Sequence, residues 1–275
     1  MGEVGRQATR AAGAAQDATE SRGFVLAARA GYAASGLLHV MIGVIALRIA
    51  RGGSGSADQS GAVAELAGNP GGAALLWVCF LGCAALAVFL LGQILFGAGG
   101  RTGKEKLEHR VRTGGQAVVY GAIGAVFGTY ALGGSSDSSG STQSISGRLM
   151  AHPAGTALLI AVGLGLVVAG GYFAYRGATR SFRKNLRSLP PGTAGSAVVA
   201  LGAVGYVAKG VALVLLGVLV VVAGVEHDPE RSSGLDGALR ALQEQPFGGW
   251  LLGAVAVGLI CYGAFMVVRA RYQRM

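Results

Sequence analysis

Apolar positions along the chain gather into six long, mostly continuous blocks, at about 30–49, 73–98, 115–133, 154–175, 200–224 and 248–268. A helix needs ~20 consecutive apolar residues to cross the hydrocarbon core of a bilayer. None of the blocks shows the strict two-residue alternation of a half-buried strand. The pattern predicts six transmembrane helices and an all-α membrane protein. Ahead of the sixth block, Leu235, Ala238, Leu239 and Leu242 follow the i, i+3, i+4, i+7 spacing of an amphipathic helix. Residues 61–67 and 144–150 are weaker versions of the same pattern. These three stretches are expected as short interfacial helices on the outer membrane surface. The Ser/Gly runs at 52–61 and 133–146 are expected as loops.

The blocks repeat. The first reads Gly31-Tyr32-Ala33-Ala34-Ser35-Gly36, then Gly43, and the fifth reads Gly205-Tyr206-Val207-Ala208-Lys209-Gly210, then Gly217. The third gives Gln116-Ala117-Val118-Val119-Tyr120, then Gly124. The small pairs Gly36/Gly43, Ala117/Gly124 and Gly210/Gly217 are each seven residues apart, so each pair lies on one helical face where a neighbouring backbone can come close. The even blocks open at Pro70, Pro153 and Pro246, and a glycine follows each proline by twelve residues, at Gly82, Gly165 and Gly258. Prolines and glycines shift together by 83 and then 93 residues. Each Pro is expected in the first turn of its helix, where the missing N–H costs nothing. Each repeat crosses the membrane twice, so all three share one orientation. This predicts three tandem two-helix repeats, pseudo-threefold about the membrane normal. The corresponding segments are an N-terminal stretch at 1–26, repeat 1 at 27–101, repeat 2 at 102–187, and repeat 3 with a tail at 188–275.

With the Gly-Tyr…Gly…Gly odd blocks and the Pro-Phe-Gly-Gly-Trp run at 246–250 followed by Leu251-Leu252, the chain resembles a family of bacterial membrane proteins, domain of unknown function 1206. The resemblance covers about residues 27–273. It implies the three-repeat fold and a membrane location, and it brings no established activity. The family's odd helices often carry Arg just before the second Gly; this chain departs from that pattern with Ser35, Gln116 and Lys209.

Composition sharpens the picture. The chain has 275 residues, 52% hydrophobic and 13% charged, with 49 glycines. Soluble domains carry about twice that charge and ~7% glycine, so a soluble fold is excluded and the glycine excess points to close helix packing. The net charge of +10 divides unevenly. The N-terminal stretch, the second and fourth loops and the tail together hold seventeen cations and five acids, net +12. The opposite side holds five cations and eight acids, net −3, and Lys209 lies inside the fifth block. The positive-inside rule therefore predicts that both termini are cytoplasmic in the cell membrane. The N-terminal stretch has no apolar core, so no cleavable signal peptide is expected. The basic clusters are split among short loops without aromatic interleaving, which fits anionic headgroups of the lipid bilayer as partners and argues against nucleic acid.

Candidate chemistry is sparse. Ser35, Gln116 and Lys209 are equivalent under the repeat and form a candidate polar ring able to meet an anion or a lipid headgroup. The plainer expectation for Lys209 is snorkelling to the headgroups or a local polar contact. His39 aligns with Tyr120 and Leu213, so it is expected as a hydrogen-bonded packing residue. Cys79, Cys83 and Cys261 lack further metal ligands and are expected as free thiols. No Asp or Glu falls in any block, so the usual carboxylate for proton or sodium coupling is missing. No phosphate-loop, zinc-hydrolase or nucleophile-elbow motif occurs. No enzyme activity, cofactor or metal is expected. The reading is a structural or interaction component of the membrane, associating with itself or another membrane protein. The alternative is an uncoupled channel or carrier for a small solute, anion or lipid along the repeat axis.

Overall fold

Uninterrupted runs of Ala, Val, Leu and Gly leave the backbone no partner but itself in an apolar medium, and helices satisfy every such group internally. The computed structural model describes residues 22–96, 103–186 and 192–272. It is all-helical, with nine α-helices among the described residues. Six are long: α1 (Arg22–Ala50), α3 (Gly72–Phe96), α4 (Gly103–Ala131), α6 (Pro153–Ala178), α7 (Thr193–Glu226) and α9 (Gly248–Tyr272). Three are short: α2 (Gln59–Ala67), α5 (Ser138–Met150) and α8 (Gly234–Gln243). Most of the 1–26 stretch expected ahead of the first repeat lies outside the described residues.

Five of the long helices, α1, α3, α6, α7 and α9, are long and apolar enough to cross a membrane. The block expected as the third span falls on α4. Its first turns carry Lys104, Glu105, Lys106, Glu108, Arg110 and Arg112, and Thr113, Gln116, Tyr120 and Tyr130 dilute the rest. This helix is long enough but less apolar than the others.

The repeated prolines occupy two different local positions. Pro153 is the first residue of α6, behind an extended His152, as the missing N–H favours. Pro70 and Pro246 stand two residues ahead of α3 and α9, in turns whose next residue is left-handed: Gly71 at φ +82° and Phe247 at φ +61°. Glycine adopts that conformation freely, whereas a phenylalanine there stores about 1–3 kcal/mol of strain. The Phe247 ring is 82% exposed and Trp250 is 84% exposed.

The described chain divides into two units. One, Leu66–Ser135, contains the α3/α4 pair. Its helices meet where Gly128 faces the Phe80 ring and Gly124 faces Cys83. Phe127 and Ala117 are buried in the same unit.

The other unit comprises Tyr32–Glu65 and Ser136–Arg274. In it α6 and α7 run antiparallel with backbones in contact. A methyl added at Gly170 would lie 2.6 Å from the Gly210 carbonyl oxygen, and one added at Gly217 would lie 2.7 Å from that of Gly163. Helices α1 and α9 repeat the arrangement, with Gly36 against the Gly263 carbonyl at 2.7 Å and Gly43 against that of Ala256 at 2.8 Å. Such spacing admits only glycine, and it leaves dispersion contacts and lipid entropy to hold the pair. The seven-residue spacing at Gly36/Gly43 and Gly210/Gly217 thus marks close packing, with α9 and α6 as the respective partners. The glycines that follow the prolines differ among themselves. Gly258 abuts Ala208 of α7, whereas nothing lies within 4 Å of a Cβ added at Gly82 or Gly165.

The short helices form a polar cap within this second unit. Their buried faces turn onto the protein: Ala62 and Val63 of α2 and Ala238 and Leu239 of α8 are buried. The Asp236 carboxylate accepts from the Ala57 N–H at 2.6 Å and from Arg240 Nε at 2.7 Å. Asp58, 2% exposed, accepts from Ser60 Oγ and the Gly61 N–H, both at 2.8 Å, and from Ser139 Oγ at 3.4 Å. These bonds tie the loop after α1 to the first turns of α5 and α8. Each buried carboxylate is matched by donors, as burial demands.

The glycine contacts can be tested by thermal unfolding of the purified protein in detergent. Gly210→Val is expected to lower stability by about 1–3 kcal/mol or more through overpacking. Gly171→Ala, where nothing lies within 4 Å, is expected to be neutral or to stabilise by up to about 1 kcal/mol.

Candidate functional site

The segment Gly205-Tyr206-Val207-Ala208-Lys209-Gly210 sits mid-way along α7 and has small residues on two sides. Gly210 faces α6. Gly205 faces α9 so closely that an added Cβ would lie 2.8 Å from that of Tyr262. Tyr206 and Lys209, three residues apart on one face, are thereby enclosed between α6, α9 and α1. Gly202, one turn earlier, leaves room for the Phe182 ring; a Cβ there would be 2.6 Å from Phe182 Cζ. Phe182 reaches this place because Arg180 adopts a left-handed conformation after α6, and the 3-10 turn Ser181–Asn185 folds back.

The result is an aromatic cluster centred on Tyr206. Its ring stacks with Phe182 at 5.1 Å and with Phe173 at 5.6 Å, and the rings of Tyr262 and Phe265 meet it edge-on at 5.4 and 5.7 Å. Such pairs add about 0.5–1.5 kcal/mol each beyond their buried area.

Three cations border these rings. The Arg176 guanidinium of α6 lies 5.3 Å from the Tyr206 centroid and 5.7 Å from that of Tyr172. Arg269 of α9 donates to the Tyr206 hydroxyl at 3.0 Å and lies 4.9 Å from the Tyr32 ring. The Lys209 ammonium lies 4.4 Å from the Tyr262 centroid and 5.4 Å from that of Phe173. Cation–π contacts of this kind contribute about 0.5–2 kcal/mol, more as water is excluded.

Lys209 also makes two directed bonds, to His39 Nε2 at 3.2 Å and to the Tyr262 hydroxyl at 3.3 Å. His39 Nδ1 bonds the Ser35 carbonyl at 2.7 Å. A carbonyl only accepts and an ammonium only donates, so Nδ1 carries the proton and Nε2 offers its lone pair. The chain of donors runs from Lys209 to His39 and from His39 to the backbone of α1. Among the described residues no carboxylate forms an ion pair with Lys209 or Arg176.

Of the three residues expected to form a polar ring, Lys209 and Ser35 join this cluster, Ser35 through its carbonyl and the intervening His39. Gln116 is exposed on α4 and belongs to the other unit. Lys209 makes the local polar contact that was the plainer expectation, and His39 is a hydrogen-bonded packing residue that also serves as its acceptor. Cys79, Cys83 and Cys261 are free. Sequence reasoning counted Arg176 and Arg269 only as loop charge and missed the aromatic cluster. The available signal was Tyr206 in the Gly-Tyr repeat, three residues before the lone intramembrane lysine.

The pairing of His39 with Lys209 is testable by thermal unfolding in detergent. His39→Leu strands the ammonium and is expected to cost about 1–3 kcal/mol. Adding Lys209→Met should then cost less than the sum of the single changes. Strict additivity would show that the two side chains are uncoupled.

The family model described as Domain of Unknown Function (DUF1206) matches three segments, at residues 30–103, 113–180 and 204–273. An uncharacterized protein of Bacillus subtilis (strain 168), YxxB, is 28% identical over 249 residues, covering 90% of each chain. No solved structure matches.

Proposed function

The chain belongs to the DUF1206 family, and on that footing we propose that it is an integral protein of the cytoplasmic membrane with a structural or interaction role. The observation that carries this reading is the closure of the helix pairs. Gly163, Gly170 and Gly177 meet Gly217, Gly210 and Ala203 with no room for a side chain, and Gly36 and Gly43 meet Gly263 and Ala256 in the same way. Helices locked at backbone distance along these faces form a rigid scaffold. No carboxylate lies in the long apolar blocks to couple transport to protons or sodium.

In this reading α4 is the third of six spans. The three matched segments are two-helix repeats about an axis along the membrane normal, and the helix pairs α6/α7 and α1/α9 are built across repeat boundaries. Both termini are cytoplasmic, because the basic loops and tail share one side. The partners are anionic headgroups on that side and a second membrane protein, either another copy or a different chain. No catalytic role is assigned. The second reading, an uncoupled conduit for a small solute, anion or lipid, draws on the cationic Lys209 cluster as its one favouring feature.

Reconstitution into liposomes separates the two. Ion and anion flux no greater than that of empty vesicles is expected; flux that Lys209→Leu alters would replace the scaffold by the conduit. Orientation is read by single cysteines at the exposed positions Ser54 and Arg183. The cysteine at 54 is expected to react from outside intact cells and the one at 183 only after permeabilisation. Labelling in the reverse pattern would invert the topology.

A further inference from the structure

Arg176, Lys209 and Arg269 come from three helices and all border the Tyr206/Tyr262 pair. Arg176 and Arg269 stand near the C-terminal ends of α6 and α9, two and three residues before the last turn closes. Gly177 is level with Ala203 and Val207, and Gly210 with Gly170 and Ala174, so Lys209 lies about 6 Å further in, one turn along α7. The three cations thus lie within about a turn of one another, beside Tyr172, Phe173, Tyr206 and Tyr262.

The charges of Lys209 and Arg176 are incompletely balanced by the described residues. An ammonium has three N–H donors, and Lys209 gives two of them to His39 and Tyr262; no described residue takes the third. The Arg176 guanidinium meets the rings of Tyr172 and Tyr206 and forms no ion pair with a described carboxylate. Aromatic faces offset only part of the cost of taking each charge out of water. A counter-anion from outside the chain resolves this imbalance. At the ends of apolar helices the abundant anion is phosphate, whose oxygens suit guanidinium and ammonium donors together.

We propose that Arg176, Lys209 and Arg269, around Tyr206 and Tyr262, bind one phosphate group at the membrane interface, that of an anionic phospholipid or of free inorganic phosphate. The site rests on the membrane reading above. It gives the scaffold a defined lipid-facing contact in the leaflet beside the C-terminal ends of α6 and α9.

The test uses the full chain extracted in detergent and native mass spectrometry. It is incubated with phosphatidylglycerol, with phosphatidylcholine, or with phosphatidylglycerol plus millimolar inorganic phosphate. The expected result is one retained phosphatidylglycerol per chain in preference to phosphatidylcholine. Retention should fall about fivefold in each of R176Q and K209M and persist in the exposed control R51Q and in the conservative R176K. Size-exclusion profiles matching the parent chain establish that R176Q is folded, should K209M prove unstable. Retention that resists inorganic phosphate assigns the lipid as the source. Displacement by inorganic phosphate assigns the free anion. Equal retention of the two lipids with no effect of phosphate overturns the site, as does a preference unchanged in both R176Q and K209M. A chain released from membranes by alkaline carbonate without detergent would defeat the membrane reading instead.

Discussion

Backbone-to-backbone contact between helices is the constraint on which the second unit depends. Where Gly170 faces Gly210 and Gly36 faces Gly263, carbonyl oxygens occupy the space a methyl would need. No hydrophobic driving force favours helix association over lipid in a bilayer, so the energy comes from the number of atoms brought into close contact. Small residues at seven-residue intervals give the longest such contact on antiparallel neighbours. That same closeness fixes rotation, because Val207 and Val214 of α7 seat directly over Gly177 and Gly170 of α6, where no larger residue fits.

Rotation in turn determines where α7 sends its polar side chains. With Gly210 against α6 and Gly205 against Tyr262, Tyr206 and Lys209 have one interior direction available, toward α1 and α9. Lys209 is then held by His39 on one helix and Tyr262 on another. The ring that surrounds it is assembled from α6, the turn after it, α7 and α9. The cluster is therefore a consequence of helix packing, and its cations rest against aromatic faces and tyrosine hydroxyls.

At the other end of the same unit, polar groups are handled differently. Asp58 and Asp236 are buried, yet each is matched by backbone and side-chain donors from other elements. The cap spends its carboxylates on tying loops together, while Lys209 and Arg176 of the Tyr206 cluster form no ion pair with a described carboxylate. This asymmetry has the same sense as the sequence charge division, net negative on one set of loops and net positive on the other.

The sequence by itself determined the helical class, the six apolar blocks around which the long helices form, the short helices between them and the three related segments, because each rests on local chemistry. Apolar run length, proline at a helix start and glycine at a fixed interval are properties of neighbouring residues. The small-residue faces at Gly36/Gly43 and Gly210/Gly217 were legible for the same reason, although their partners were not. Only the tertiary structure decided that those faces meet α9 and α6, that Pro70 and Pro246 stand ahead of their helices, and that Lys209 turns to His39 and Tyr262. Those outcomes depend on residues 170 and 53 positions away along the chain, and no local pattern encodes which of several compatible surfaces will close first against another.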